Sequence, residues 1–442
     1  MVEKCRGLAL AIVVLSGLLL HKRGLDEWQK VKDHLWKNII EDKSVEISNI
    51  LSLSYNDLST ALKQCFLYFG IFPEDKVLEA ENIIWLWMVE GFIPRGEERM
   101  EDVAEGFLNE LIRRSLVQVA KTFWEKVTEC RVHDLLRDLA IQKALEINFF
   151  DIYDTRNHSI SSLCIRHAIH SQGERSIMFF DHNFSNTSLI KFSSVFRHLY
   201  VLYLDIEVGF TPDAIGSLYH LKFLHLRGLC YIPSSIGNLK NLQTLHANSN
   251  LFSCHLPAET ADLINLRHLV APYSEPLKRI SKLTSLQVLE YIYYDHLKNL
   301  STLRLLCCGD ESFPSLEFLN SCQKLQKLWL DGRIEKLLLF SNSTTMIALL
   351  YSELTEDPMP ILGMLPNLRD LQWRGAYKGK DITCNGNSFS QLEFLRLDSL
   401  QNLERWHLGT SAMPLIKGLY IYDCRRLKEI PERMKDVEPI YG

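Results

Sequence analysis

Three sets of residues in this chain have chemistry to offer: the pair His133-Asp134, the histidines His225, His246 and His268, and eleven cysteines. An imidazole N–H at the start of a helix can donate to a phosphate, and the same residue can equally cap that helix. Histidines spaced about 20 residues apart hold a metal only if their ring nitrogens converge at about 2 Å from one ion. The cysteines are odd in number and include no C-x-x-C pair, and adjacent Cys307 and Cys308 make a poor disulfide. Reduced thiols in a cytosolic protein are the expectation. Phosphoryl chemistry lacks its loop, because no G-x-x-x-x-G-K-[ST] string occurs. The nearest string, Gly375-Ala-Tyr-Lys-Gly379-Lys380-Asp381, is one residue short and lacks the hydroxyl. It reads as a loop, and no catalysis is expected of this chain alone.

The elements that position these residues are set by a leucine frame. It reads Leu199-Tyr-Val-Leu202-Tyr-Leu204, returns at Leu221, Leu224 and Leu226, then at Leu242 and Leu245, then at Leu266 and Leu269. Further copies start at Leu286, Leu300, Leu325, Leu368, Leu392 and Ile416, with a degenerate one near Ile347 and Leu349. Starts about 20 to 25 residues apart match the leucine-rich-repeat period. Alternate side chains of a short strand share a face, so the second and third apolar positions point inward together. Ordering each residue costs about 1 to 2 kcal/mol, whereas each buried Leu returns only about 1.5 to 3 kcal/mol, so one repeat cannot stand alone. Stacking gives a curved solenoid with a parallel sheet on its concave side.

At 442 residues the chain is too long for one ordinary core. A net charge of -5 offers no basic surface for nucleic acid or membrane. Near the N-terminus, Lys4, Arg6 and the apolar run Leu8 to Leu20 imitate a secretory signal. No small-x-small cleavage site follows, and the run is too short to span a bilayer, so a buried helix is the competing reading. Between residues 45 and 147 helical periodicity recurs in four segments. Asn56-Asp57 separates the first two, Phe72-Pro73 stops the second, Gly91 ends the third, and the fourth carries Val103, Phe107, Leu108, Leu111 and Ile112. Two β-prone pieces follow, Ser115 to Val119 and Thr128 to Val132, and then a helix from His133-Asp134. A helix bundle with such a hairpin reads as a winged helix. Glu79, Glu81, Glu90, Glu101, Asp102, Glu105 and Glu110 would repel DNA phosphates. Residues 148–162 are polar and read as an irregular linker.

Several short strings in fixed order resemble one family, the plant nucleotide-binding leucine-rich-repeat (NB-ARC-LRR) disease-resistance proteins of the coiled-coil class. Cys5-Arg6-Gly7-Leu8-Ala9-Leu10 is similar to its Gly-Leu-Pro-Leu motif, with Ala9 at the proline position. Leu53-Ser54-Tyr55, Cys65-Phe66-Leu67-Tyr68, Phe72-Pro73-Glu74-Asp75, Trp85-Leu86-Trp87 and Glu90-Gly91-Phe92-Ile93 match its later helical motifs. Val132-His133-Asp134 is similar to its Met-His-Asp motif.

The resemblance implies an α+β multidomain chain: residues 1–44 a remnant of the NB-ARC helical subdomain, 45–147 its winged helix, 148–162 the linker, and 163–442 the leucine-rich-repeat domain. It implies an intracellular, cytoplasmic immune receptor, here N-terminally truncated, since the coiled coil and nucleotide-binding core would precede Met1. It also implies that His133 and Ala9 stand where relatives contact ADP. In full-length relatives ADP exchanges for ATP; for this chain alone no cofactor is expected. The partners implied are a pathogen effector or a guarded host protein, and the NB-ARC core within a full-length receptor.

The residue between the second and third apolar positions should form a solvent-facing column: Tyr203, His225, His246, Val270, Glu290, Arg304, Trp329, Gln372, Arg396 and Tyr420. Its aromatic and arginine members, with its histidines, are the candidate protein-binding residues; sheet packing alone would also favour aromatics there. A repeat-based adaptor, or a secreted repeat protein, are the alternative functions.

Overall fold

The computed structural model describes residues 5, 8–22, 24–37, 43–123, 126–154, 164–170, 173–179, 198–210, 213–248, 255–271, 277, 279–291, 300–307, 312–313, 316, 319–320, 322–337 and 340–439. They belong to two compact units, Met1–Phe184 with His198–Asp205, and Ser185–Arg197 with Ile206–Gly442.

In the first unit the described α-helices are α1 Ala9–Leu20, α2 Leu25–Lys37, α3 Lys43–Asn56, α4 Thr60–Tyr68, α5 Ala80–Glu90, α6 Met100–Arg113 and α7 Asp134–Glu146, with the short strand Leu78–Glu79 before α5 and a two-stranded wing before α7. Their ends follow local chemistry. Ser59 caps α4, its Oγ accepting from Leu62 N–H at 3.4 Å. A 3-10 turn over Phe69–Ile71 then ends at Phe72, which is extended before Pro73. α5 ends on Gly91, whose φ of 83° is the left-handed cap that glycine adopts without strain. α1, the run that imitates a signal, is a core helix with Ala11, Leu15, Leu18 and Leu19 packed with Val31 and Ile50. No described helix is long and apolar enough to cross a membrane.

The wing pairs Gln118–Phe123 antiparallel with Lys126–Arg131, which also pairs with Leu78–Glu79. These strands reach further into the polar connection than the sequence suggested, because Lys121 opposite Glu129 and Thr122 opposite Val127 continue the ladder. The expected irregular linker is corrected at its start. Phe149 and Phe150 are buried, Phe149 lies 5.6 Å from Phe92, and Asp151–Asp154 pairs antiparallel with Cys164–His170. The two aromatics bury their rings immediately before the strand begins. The rest of that segment, 155–162, lies outside the described residues.

The second unit is the solenoid. Its strands Phe223–Tyr231, Thr244–Asn248, His268–Val270, Val288–Tyr291, Thr302–Leu306, Lys327–Asp331, Met346–Leu350, Asp370–Arg374, Phe394–Asp398, Gly418–Tyr422 and Glu438–Pro439 pair in chain order. All these pairings are parallel. The leucine frame points inward: Leu224, Leu245, Leu269, Leu289, Leu303, Leu328, Ile347, Leu371 and Leu395 are fully covered. Ile416 and Ile421 of the last full repeat are only half-buried.

Asparagines before the frame stitch neighbours together. The Nδ2 atoms of Asn241, Asn265 and Asn367 each donate to a carbonyl of the preceding repeat at 2.8 Å. These bonds satisfy turn carbonyls that lie outside the strand ladder. Towards the C-terminus, strands end in a left-handed residue, Tyr351, Gly375, Ser399 and Asp423. The amide of each of the first three donates to the next repeat, as Tyr351 N does to Arg374 O at 2.7 Å.

Candidate functional site

Strand register confirms the column as a row. His225 is opposite His246, which is opposite Val270; Glu290, Arg304, Trp329, Ala348, Gln372, Arg396 and Tyr420 follow in succession. Ala348, from the degenerate repeat, completes the series. The row is not uniformly solvent-facing, which corrects the expectation for half of it. His225, His246, Val270, Ala348 and Gln372 are buried. Neighbouring parallel strands lie about 4.8 Å apart, closer than two rings can stand without covering one another. The His225 and His246 rings accordingly meet edge to face at 4.5 Å. Tyr203, in the first unit, is buried too, edge-on to Phe72 at 5.9 Å.

The three histidines do not form a set. His268 aligns with Thr244 rather than with His246, and its Nδ1 sits 2.8 Å from Thr244 Oγ1. Among the described residues no three His, Cys, Asp or Glu side chains are grouped to hold a metal.

Two islands of the row reach solvent. In the first, Arg304 donates to Glu290 at 2.9 Å and lies over the Trp329 ring at 4.5 Å. In the second, Arg396 lies over the Tyr420 ring at 4.2 Å and donates to Asp398 Oδ2 at 3.2 Å. Sequence reasoning missed Arg374, Asp398 and Tyr422, which stand opposite one another in the next column, two residues along each strand. The signal was there: with period 2, the residue after the third apolar position shares the exposed face.

In the first unit, His133 is the N-cap of α7, and its Nδ1 accepts from Leu135 N–H at 3.3 Å. The capping reading of this residue is therefore realised. With Nδ1 accepting, a neutral ring carries its proton on Nε2. Ala9 is exposed at the first position of α1, and Arg6 and Gly7 of the same motif lie outside the described residues. The Gly375 string is a loop: Gly375 is left-handed, Lys380 pairs with Glu404, and Asp381 with Arg405.

A charge cluster of this unit joins residues of α1, α3 and α6 or their ends. Asp57 after α3 pairs with Lys22 and with Arg114 Nη1 at 2.9 Å, and Glu110 of α6 accepts from Arg114 Nε at 2.8 Å. Burial alone would raise the Asp57 carboxyl, but hydrogen bonds and charge from Lys22 and Arg114 outweigh it and hold it low. Glu110 is likewise held low against burial, by Arg114 first and then by His21 and Arg113.

Comparison with known proteins fits this geometry. Residues 71–140 match the family described as disease resistance protein winged helix domain, and residues 174–338 match a leucine-rich repeat region. Disease resistance protein RPP13 of Arabidopsis thaliana is 34% identical over all of this chain and 57% of its own length. RPP13-like protein 3 of the same plant is 34% identical over 98% of this chain and 57% of its own length. Disease resistance protein RPP8, also from Arabidopsis thaliana, is 31% identical over 98% and 56%. The chain thus spans somewhat more than half the length of the relatives it matches. A solved leucine-rich-repeat protein of Leptospira interrogans overlays with a TM-score of 0.40 at 19% identity, over 57% of this chain and 68% of its own. With a resistance-type winged helix, a stacked parallel solenoid and relatives along its whole length, the chain is similar to the plant disease-resistance proteins of the leucine-rich-repeat type.

Proposed function

We propose that this chain is the control and recognition part of an intracellular immune receptor that responds to a pathogen effector or to a guarded host protein. The observation that carries the reading is a disease-resistance winged helix on the same chain as a repeat sheet with two preorganised Arg-aromatic islands. Arg and Trp or Tyr, held against each other, lose little side-chain freedom when a partner lands on them, which is the property of binding hot spots. Arg304, Trp329, Arg396 and Tyr420 are the residues of the expected set that such a partner can reach. Tyr203, His225 and His246 serve packing instead.

The family implies ADP, exchanged for ATP, in a full-length receptor, held between the NB-ARC core and the winged helix. Of the two positions that the resemblance singles out, His133 offers a donor, its Nε2–H, and Ala9 a methyl only. The sequence contains no phosphate loop, so these residues do not make a nucleotide site by themselves, and no nucleotide step is assigned to them. The chain acts by binding rather than by catalysis, in the cytoplasm, without nucleic acid or membrane as ligand.

The test is expression in leaf tissue of a full-length receptor carrying these residues. Trp329→Ala combined with Arg396→Ala should abolish the defence response at unchanged protein level. An unchanged response would contradict the proposal. Calorimetry of the purified chain with ADP should show no measurable heat, and micromolar affinity would show that its own residues suffice.

A further inference from the structure

Asp398 is 1% exposed, and both of its oxygens are engaged. Oδ2 accepts from Arg374 Nε at 2.9 Å and from Arg396 Nη2 at 3.2 Å, while Oδ1 accepts from Ser399 Oγ at 2.8 Å. The two arginines differ in what they have left. Arg396 is covered to 17% side-chain exposure and lies over Tyr420. Arg374 is 47% exposed and is held through Nε, and among the described residues neither of its Nη nitrogens has a partner. A guanidinium pinned at Nε presents its outer edge in a fixed direction.

Tyrosines frame that edge. Tyr422 shares the column and is 61% exposed. Tyr351, 54% exposed, packs beside Gly375, where a Cβ would stand 3.1 Å from its ring at a left-handed φ of 56°. Glycine there leaves Tyr351 room to lie next to Arg374.

We propose that Arg374 is the anchor for a single Asp or Glu side chain of the receptor's protein partner, with Tyr351, Tyr420 and Tyr422 receiving the apolar residues beside it. This rests on the reading that the inner face of the repeats receives a protein. A planar carboxylate matches the guanidinium fork with two parallel N–H···O bonds, and an arginine already oriented by a buried acid loses little freedom on forming them. A polyanion is disfavoured by the surroundings. Asp370 lies on the same strand as Arg374, and Asp331 stands two strands away in the same column. A single negative charge reaches the fork without meeting them, whereas a phosphodiester chain would run across both.

The purified chain is titrated with a fluorescein-labelled Gly-Phe-Glu-Phe-Gly peptide and with its Gln counterpart, read by fluorescence anisotropy. The Glu peptide should bind with millimolar or better affinity and at least tenfold more tightly than the Gln peptide. Arg374→Gln should erase that difference, Arg374→Lys should keep part of it, and Arg304→Gln on the other island should keep all of it. Near-UV circular dichroism of the variants should match the parent, since Arg374 is half exposed. Absence of binding, equal binding of the two peptides, an unchanged difference in Arg374→Gln, or displacement by inorganic phosphate or a single-stranded oligonucleotide would each overturn the anchor. The underlying reading fails separately. In the full-length receptor, a response lost with Trp329→Ala but kept with Arg374→Gln retains the inner face and removes the anchor; a response kept with both removes the inner face as well.

Discussion

Replacing Asp398 by Asn keeps the side-chain shape, removes a buried charge, and leaves the guanidiniums of Arg374 and Arg396 side by side. A hydrogen bond to a charged group contributes about 1.5 to 3 kcal/mol, and removing one partner of a buried pair costs about 3 to 5 kcal/mol. Here Arg374 is half exposed and can rehydrate, and the Asn oxygen still accepts one bond, so the expected loss is smaller, about 2 to 3 kcal/mol. Solenoid stability is close to a sum over neighbouring repeats. The loss should therefore fall on Asp370–Arg374, Phe394–Asp398 and Gly418–Tyr422. Urea unfolding followed by tryptophan fluorescence reports it, because fully buried Trp373 sits in the adjoining strand. With a slope of about 1 to 3 kcal/mol per molar urea, the midpoint of that transition should drop by about 1 M. Amide exchange should speed up in those three strands and stay unchanged in Thr244–Asn248. A midpoint shift below about 0.2 M would refute the reasoning, since it falls well short of what that slope predicts for a loss of this size. So would an exchange increase spread evenly over all repeats.

Three further outcomes are expected. A Cβ at Gly17 would lie 2.7 Å from the Arg114 carbonyl, so Gly17→Ala should destabilise the first unit by about 1 to 3 kcal/mol, seen as a lower Tm. Asp57 and Glu110 titrate below their ordinary 3.8 and 4.5 when folded, so their contribution is full above about pH 4.5 and is lost as pH falls below it. Exchange of α1 amides, corrected for intrinsic rate, should rise between pH 5 and 3, and less so in Asp57→Asn; a pH-independent profile would contradict the charge cluster. Burial pushes the Cys130 and Cys384 thiols up to about 12, so at pH 8 only on the order of one in ten thousand is thiolate. Both should resist an aromatic disulfide reagent until urea is added, as followed by peptide mapping.

Much of this molecule is legible in its sequence because its periodicities are strong. The leucine frame returns often enough to fix strand, face and register, and the row from His246 to Tyr420 follows successive strand pairings once Ala348 stands between Trp329 and Gln372. Gly91 and Pro73 mark helix ends through backbone sterics alone, and those ends are where the chain turns. Burial along the exposed face is not legible in the same way. Whether His246 is covered depends on the ring of the preceding repeat, a contact 21 residues away that alternation does not encode. The linker expectation failed for a related reason: residues 148–162 are polar on average, but Phe149 and Phe150 decide its start. Asp398 is not legible either, because a lone acid in a repeat carries no sign of the two arginines that close on it.

Recognition by the inner face depends on which of its side chains a partner can touch, and hydroxyl-radical footprinting of the free protein measures that directly. Trp329, Tyr420 and Tyr422 should be oxidised readily, while His225 and His246 stay protected until the chain is unfolded. Oxidation of His225 and His246 at rates comparable to Tyr422, or protection of Trp329 and Tyr422 in the free protein, would contradict it.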